Sequence, residues 1–171
     1  ALGTDGANCS GYQSMFESMK WAALLSNTST PDYTKWVTAN DVLTMATVGS
    51  AQALGMSKSI GSIEAGKKPD FVLLDKKVTN FVPLNNLTWQ LVFGRADTAI
   101  ASVYVNGKCV VENGKATLID EESLYQEAME RGAFLLKRLQ DDYAEIKKNS
   151  PQLYDLLMRV AKQPTNKAQI F

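Results

Sequence analysis

Asp5 is the first residue whose type and surroundings could support catalysis. It lies in the turn-rich opening segment, residues 1–8, and glycine follows it. An Asp-Gly pair by itself is typical of a tight turn, but a carboxylate can also ligate a metal or accept a proton. The sequence contains no histidine, the commonest general base and metal ligand. Chemistry carried out by this chain alone must therefore use carboxylates, hydroxyls, lysines or thiols.

The two cysteines are weaker candidates. Cys9 could act as a nucleophile, but its thiolate would need an activating base, and no histidine is available. We therefore expect Cys9 to be a small buried residue near a helix start. We expect Cys109 to lie in a strand and to belong to the protein core. The two are far apart and form no CxxC motif, so we expect neither a disulfide framework nor a cysteine zinc site. A reducing cytoplasm is the expected location.

A glycine-rich segment at residues 61–68, GSIEAGKK, nearly matches a phosphate-binding loop. Lys68 stands where that motif requires serine or threonine, and the segment precedes an apolar strand instead of following one. We therefore interpret it as a glycine turn. Two acidic pairs lie among helical charges and are expected to form a solvated helix face: Glu121–Glu122 and Asp141–Asp142.

Bulk composition excludes several classes of protein. The 171 residues carry 18 basic and 18 acidic side chains, and the pI is near 6.5, so no basic surface for nucleic acid is indicated. No apolar run reaches the roughly 18 residues of a membrane span, and the start does not resemble a signal peptide. The absence of an initiating methionine suggests a processed or truncated start.

Apolar periodicity predicts helices, then strands, then helices. Ser10 and Gln13 resemble a capping box that opens a helix running to about Ser26. A second helix is expected from Thr38, where Asp41 completes another capping box, to a terminating Gly55.

A small antiparallel meander is expected next. Its strands cover residues 71–74, 98–105 and 109–111, with tight Asn-Gly turns at residues 106–107 and 113–114 leading into residues 116–118. Helices follow from Asp120 and from the Ser150–Pro151 pair, before a polar tail at residues 163–171.

Four segments in one consistent order resemble the metal-dependent amidohydrolases, in the branch of cytosine, guanine and adenosine-type deaminases and triazine chlorohydrolases. They are residues 2–6 (LGTDG), 41–55 (DVLTMATVGSAQALG), 60–75 (IGSIEAGKKPDFVLLD) and 103–114 (VYVNGKCVVENG). Pro69 is a minor departure, since alanine is more usual there. The resemblance extends from Leu2 to about Leu118.

The resemblance implies an α+β fold that is only part of an enzyme. Residues 1–55 would form the end of a (β/α)₈ TIM barrel, residues 56–118 part of a small β-sandwich in a composite domain, and residues 119–171 C-terminal helices. In that family, barrel strands present one or two divalent metals at their C-terminal ends. Asp5 matches the aspartate after the eighth strand, which binds the metal and moves a proton from its water.

The implied reaction is hydrolysis at a ring carbon of a nucleobase-, nucleoside- or triazine-like cyclic amidine. Deamination breaks a non-peptide C–N bond, and dechlorination releases chloride from the same kind of carbon. A metal, zinc or iron, lowers the pKa of its bound water to about 7 and supplies hydroxide. Zinc needs about three protein ligands, so the histidine ligands must lie outside this chain. We expect the chain alone to be inactive, and its partners to be a heterocyclic substrate, the missing N-terminal half and further copies of itself, with no nucleic acid or membrane.

A second interpretation stays open at this point. The chain could be a non-catalytic binding or assembly module that keeps the β-sandwich and helices and has lost the barrel. A His-x-His segment upstream in the same reading frame would favour the enzyme. A stop codon or an unrelated upstream domain would favour the module.

Overall fold

A computed structural model describes residues 1–162 of the chain. They form two compact units, residues 1–119 and a second unit that begins at Asp120. The helices are α1 (Ala7–Ser10), α2 (Met15–Ser26), α3 (Ala39–Ala46), α4 (Val48–Ala53), α5 (Leu87–Phe93), α6 (Glu121–Asn149) and α7 (Pro151–Lys162). The strands are β1 (Phe71–Leu74), β2 (Ile100–Val105), β3 (Lys108–Glu112) and β4 (Lys115–Ala116). The predicted polar tail, residues 163–171, lies outside the described residues.

The first helix differs from the prediction. Ser10 ends the short helix α1, so it cannot be the N-cap of a helix that continues to Ser26. Gly11, at φ 70°, separates the two helices in a left-handed conformation that glycine adopts readily. Ser14 is the actual N-cap of α2, and its hydroxyl accepts a hydrogen bond from the Glu17 amide. The same helix-start chemistry therefore operates four residues later than predicted.

The second helix begins as predicted, with both hydrogen bonds of the Thr38–Asp41 capping box present. It is not continuous to residue 54, because an irregular Thr47 divides it into α3 and α4. Gly55, at φ 68°, ends α4 as predicted. The Met56 amide donates to the Ala51 carbonyl and the Gly55 amide to the Gln52 carbonyl, the pair of bonds that defines a Schellman motif.

The first unit has a core where α2, α3 and α5 meet. Its fully buried members are Met19 and Ala23 from α2, Val42 from α3 and Val92 from α5. A second cluster joins Phe81, Ala96 and Ala99. Helix α5 does not follow from the apolar pattern of the sequence, and its N-cap Asn86 accepts a hydrogen bond from the Trp89 amide. Tertiary packing of Val92 makes this short, seven-residue segment a stable helix.

The four strands form one antiparallel sheet in the order β1-β2-β3-β4. Both Asn-Gly turns occur as predicted, and their four residues have positive φ angles between 49° and 78°. This is the conformation that a two-residue hairpin turn requires. The predicted strand at residue 98 begins only at Ile100, because residues 96–99 form a 3₁₀ turn. The last strand, predicted at residues 116–118, is a two-residue strand at Lys115–Ala116. A mixed α+β architecture is therefore confirmed.

The second unit consists of α6 and α7. Asp120 caps α6 by accepting a hydrogen bond from the Ser123 amide, and α7 begins at Pro151 as predicted. The rings of Tyr143 and Tyr154 meet edge to face at 6.5 Å between centroids. No residue of either helix is buried. Within residues 1–162, none of the helices combines the length and apolar character needed to cross a membrane.

Candidate active site

Asp5 lies on an exposed turn between the opening segment and α1. Its backbone is in the left-handed region at φ 60°, which is uncommon for residues other than glycine, although aspartate tolerates it better than most. Its Oδ1 accepts a hydrogen bond from the Gly6 amide at 2.7 Å. The turn therefore holds the carboxylate beside its own following peptide and close to solvent.

The carbonyl oxygen of Asp5 is held as well as its carboxylate. The Gln13 amide nitrogen donates to this oxygen at 3.1 Å, across the whole of α1. The Thr4 hydroxyl donates to the same oxygen at 3.3 Å. Sequence reasoning assigned Gln13 to a helix cap and missed this contact, because it depends on the chain returning to Asp5 after α1.

The segment that precedes Asp5 is hydrogen-bonded to helix α4. The Leu2 amide donates to the Ser50 hydroxyl at 3.3 Å, and this hydroxyl donates to the Met45 carbonyl at 2.7 Å. Leu2 also packs against the core cluster of α2, α3 and α5. A single serine in α4 thus links the opening segment to the end of α3. This link fixes the position of the backbone that leads into the Asp5 turn.

The loop after α1 is tethered at a second place. The Tyr12 hydroxyl donates to Asp97 Oδ2 at 3.2 Å, a contact between residues 85 positions apart in sequence. Asp97 lies in the 3₁₀ turn before β2, and its side chain is mostly covered. Arg95 Nη2 lies 3.6 Å from the same carboxylate oxygen. Tyr12 and Arg95 therefore both contact the same carboxylate oxygen of Asp97.

The other candidates do not join Asp5. Cys9 is exposed, contrary to the expectation of burial, because the four-residue helix α1 presents it to solvent. Cys109 is half-buried in β3, where its thiol donates to the Val111 carbonyl.

The glycine-rich segment is a turn, as interpreted from sequence. Lys67 is bonded within it to Ser62 and Glu64, and the segment leads into β1. The Ser62 hydroxyl and then the Lys67 ammonium lower the pKa of Glu64. These bonds occupy the lysine that a phosphate-binding loop would direct at its ligand.

The acidic pair in the middle of α6, Asp141 and Asp142, is exposed, as expected for a solvated helix face. An open, mainly apolar cleft of about 400 Å³ lies between α4 and β1, lined among others by Leu54, Ile60, Ile63 and Phe71. Asp5 does not line this cleft. The cleft is therefore separate from the candidate active site.

The described residues do not contain a complete catalytic zinc site. A catalytic zinc needs about three protein ligands. Within residues 1–162, no group of three or more His, Cys, Asp or Glu side chains converges on one point. The exposed carboxylate of Asp5 suits the role of one oxygen ligand, since aspartate oxygens bind zinc at about 2.0–2.2 Å. The described residues therefore fit a shared metal site and do not form a complete one.

Comparison with known proteins gives a consistent set of similarities. The Amidohydrolase family profile matches residues 1–110. A 5-methylthioadenosine/S-adenosylhomocysteine deaminase from Moorella thermoacetica is 37% identical over 131 residues, which are 77% of this chain and 30% of that protein. An S-triazine hydrolase from Gordonia rubripertincta is 33% identical over 141 residues, 80% of this chain and 29% of that protein.

Solved structures show the same similarity. A zinc-bound adenosine deaminase from Xanthomonas campestris matches with a TM-score of 0.69 and 30% identity, covering 73% of this chain and 28% of that one. A zinc complex of atrazine chlorohydrolase from Arthrobacter aurescens matches with a TM-score of 0.66 and 28% identity, covering 72% and 27%. The chain thus spans about 30% of the length of the curated relatives that it matches.

Proposed function

Because this chain belongs to the amidohydrolase family, we propose that it is the C-terminal portion of a zinc-dependent hydrolase. Its reaction would cleave the exocyclic C–N bond of an adenosine-like compound, or the exocyclic C–N or C–Cl bond of a triazine. The observation that carries the proposal is the family match over residues 1–110, together with 37% identity to a deaminase of adenosine derivatives. The active site would be shared between this chain and the histidine-bearing remainder of the enzyme.

The proposed substrate class follows from what the named relatives have in common. An adenine nucleoside and a triazine both contain an electron-poor ring carbon that is bonded to at least one ring nitrogen and bears a leaving group. Deamination releases an amine from this carbon and dechlorination releases chloride. One hydrolytic chemistry therefore serves both classes, and we propose adenosine derivatives first because several of the similar relatives are deaminases of such compounds.

Asp5 would supply one oxygen ligand and a proton-transfer group at this site. A divalent zinc lowers the pKa of its bound water to about 7 when it is present, and iron could fill the same role. The Asp5 carboxylate would accept a proton at one of its oxygens and return it to the departing nitrogen. The exposure of Asp5 and its fixed turn geometry support this assignment. The remaining ligands would be histidines outside this chain.

The proposed place of the chain in the whole fold is the end of a TIM barrel in residues 1–55, part of a β-sandwich in residues 56–118, and helices in residues 119–171. Large apolar side chains at the surface of the first unit support the proposal that further protein covers them. More than half of the Trp21 and Leu25 side chains is exposed, and nearly half of Leu73. Exposed apolar surface of this kind typically marks an interface. Assembly as a homo-oligomer and a cytoplasmic location belong to the same proposal.

The test uses the complete coding sequence, expressed beside the 171-residue chain. Ammonia release from 5′-deoxyadenosine and 5-methylthioadenosine, and chloride release from atrazine, would be measured with and without zinc. We expect activity from the complete enzyme and none from the chain alone. Asp5→Asn should lower kcat by about 10²–10⁴-fold, the contribution of a positioned acid–base group.

A matched control separates this role from general damage to a turn. Asp75 Oδ1 also accepts a hydrogen bond from a nearby backbone amide, that of Lys77 at 2.8 Å. Asp75→Asn should therefore leave kcat unchanged. Wild-type kcat in Asp5→Asn would refute the catalytic assignment of Asp5.

A non-catalytic assembly module is the second candidate, favoured by the absence of histidine from the sequence. It predicts that the complete protein carries no stoichiometric zinc and hydrolyses none of these compounds. If the histidine-bearing portion is a separate chain, the two should co-purify, and zinc should bind only to the mixture. Zinc content by atomic absorption, measured for each chain and for the complex, distinguishes the three cases.

A further inference from the structure

We infer that Gln13 is a positioning residue for Asp5, and that Tyr12 holds Gln13 in place through Asp97. The inference rests on the proposed function, in which Asp5 serves a metal-dependent hydrolysis. It adds one residue whose side chain contacts the backbone of Asp5 and a neighbouring residue that supports the first. It also predicts what each removal does to metal retention and to kcat.

The backbone of Asp5 is in a conformation that residues other than glycine disfavour. At φ 60° an L-residue other than glycine pays about 1–2 kcal/mol relative to right-handed conformations. If the backbone relaxed to negative φ, the Cα–Cβ bond would turn and the carboxylate would point elsewhere. A ligand or proton acceptor in a preorganised site tolerates only small displacements. Something must therefore hold the Asp5 peptide in its left-handed state.

Three hydrogen bonds reach Asp5, and they differ in what they can hold. The Gly6 amide bond to Oδ1 is local and moves with the side chain, so it cannot anchor the turn to the rest of the fold. The Thr4 hydroxyl is also adjacent, and its bond is longer at 3.3 Å. Gln13 reaches the Asp5 carbonyl from the far side of α1 at 3.1 Å. Among these three bonds, that of Gln13 connects Asp5 to the part of the chain beyond α1.

The two neighbours of Gln13 in sequence are both bonded to other parts of the fold. Gln13 lies in the loop between α1 and α2, and its neighbour Tyr12 is bonded to Asp97 at 3.2 Å. Ser14, on the other side, is buried and caps α2. Gln13 therefore lies between two residues that are each bonded to another part of the fold, and these bonds restrain the backbone of Gln13. The chain Asp97–Tyr12–Gln13–Asp5 links the turn before β2 to the candidate metal ligand.

The experiment uses the complete enzyme with zinc bound. Gln13→Met keeps the length of the side chain and removes its donor. We expect kcat to fall, and the rate of zinc loss to a chelator to rise, by about 10- to 100-fold each, the usual effect of removing a group that orients a metal ligand. KM should change little, because Gln13 acts on Asp5 and not on the substrate. Gln126→Met, in the exposed face of α6, is the matched control and should behave as wild type.

Tyr12→Phe is the second variant, since it removes one hydroxyl from a half-exposed ring and should not impair folding. It should change kcat and zinc release in the same direction by about two- to fivefold, the range of one net hydrogen bond acting through an intermediary. Melting temperature, measured for every variant, separates a local effect from lost stability.

The outcomes distinguish this inference from the proposed function. If Asp5→Asn retains wild-type kcat, the proposed function fails first. If Asp5→Asn is inactive while Gln13→Met has wild-type kcat and zinc release, the positioning role of Gln13 is overturned. It is also overturned if kcat falls in both variants only in proportion to a lower melting temperature, with zinc release unchanged.

Discussion

The two units of the molecule are stabilised in different ways. Residues 1–119 contain every buried apolar side chain of the described residues: Met19, Ala23, Val42, Ala51, Phe81, Val92, Ala96 and Ala99. Helices α6 and α7 contain none. Instead, α6 exposes large apolar side chains along its length: Leu124, Tyr125, Met129, Phe134, Leu135, Leu136 and Leu139.

This difference in apolar burial indicates which interactions limit the stability of each unit. In the first, removing a buried group leaves a cavity, and packing sets the cost. In the second, the helix depends on its N-cap, on pairs such as Glu127–Arg131 at 3.6 Å, and on the contact of Tyr143 with Tyr154. Local terms of this kind are worth tenths of a kcal/mol to about 1 kcal/mol each. Four predictions test this contrast.

The largest effect is expected for Phe81→Ala. Phe81 is 2% exposed and centres the second core cluster, so its loss should lower the free energy of unfolding by about 3–5 kcal/mol. Phe134→Ala is the matched change in α6, where the ring is 61% exposed, and it should cost less than about 0.5 kcal/mol. Urea unfolding followed by tryptophan fluorescence measures the first unit, which holds all three tryptophans. Far-UV circular dichroism follows all the helices together, and α6, with 29 residues, is the longest of those described. Equal costs would remove the contrast.

The second prediction compares alanine substitutions at two glycines of the first unit, Gly61 and Gly66. The comparison separates the cost of steric crowding from the cost of backbone strain. A Cβ at Gly61 would lie 2.6 Å from Ala51 Cβ, and its φ is 96°. Gly66 has a similar φ of 89° with nothing within 4 Å. Gly61→Ala should therefore cost about 2–4 kcal/mol, and Gly66→Ala about 1–2 kcal/mol, in urea unfolding. Similar values for both would mean that α4 shifts to relieve the contact.

Thr38→Ala should have a smaller effect, about 1 kcal/mol, because it removes the hydroxyl of the α3 capping box. Since Val42 anchors α3 in the core, we expect the helix to persist with a lowered free energy of unfolding. Thr38→Ser keeps the hydroxyl and should restore most of the loss. Complete loss of the helical signal of α3 would show that the cap, and not the core, maintains it.

The smallest effect is expected at acid pH. The Thr38 hydroxyl and then the Thr38 amide lower the pKa of Asp41, and the Ser123 hydroxyl and amide lower the pKa of Asp120. A depressed folded pKa means that the stabilisation is fully present above the ordinary carboxyl pKa and is lost as pH falls through the folded value. At such pH the first turn of α6 should fray, while α3 stays packed through Val42. Asp41→Asn should flatten the acid dependence of the first unit; an unchanged acid limb would exclude this cap as its source.

Features that depend on neighbouring residues followed from the sequence. The capping box at Thr38, both Asn-Gly turns, the glycine that ends α4 and the start of α7 at Pro151 were all predicted and confirmed. Each rests on contacts within a few residues, or on the backbone freedom of one residue type. The ordered resemblance also identified the family correctly.

Features that depend on distant contacts did not follow from it. The sequence placed a helix start at Ser10, but Ser14 caps α2, because burial of Ser14 and of Met19 selects that start. Helix α5 was missed, since its seven residues gain stability from packing Val92.

The candidate active site divides along the same line. The sequence by itself determined that Asp5 lies in an Asp-Gly turn and that the chain has no histidine to accompany it. Only the tertiary structure decided how that turn is held: Ser50 binds Leu2 before it, Gln13 binds its carbonyl oxygen, and Tyr12 binds Asp97 beyond it. Turn chemistry acts through adjacent residues, whereas these bonds join residues 8, 48 and 85 positions apart, which only a folded chain brings together.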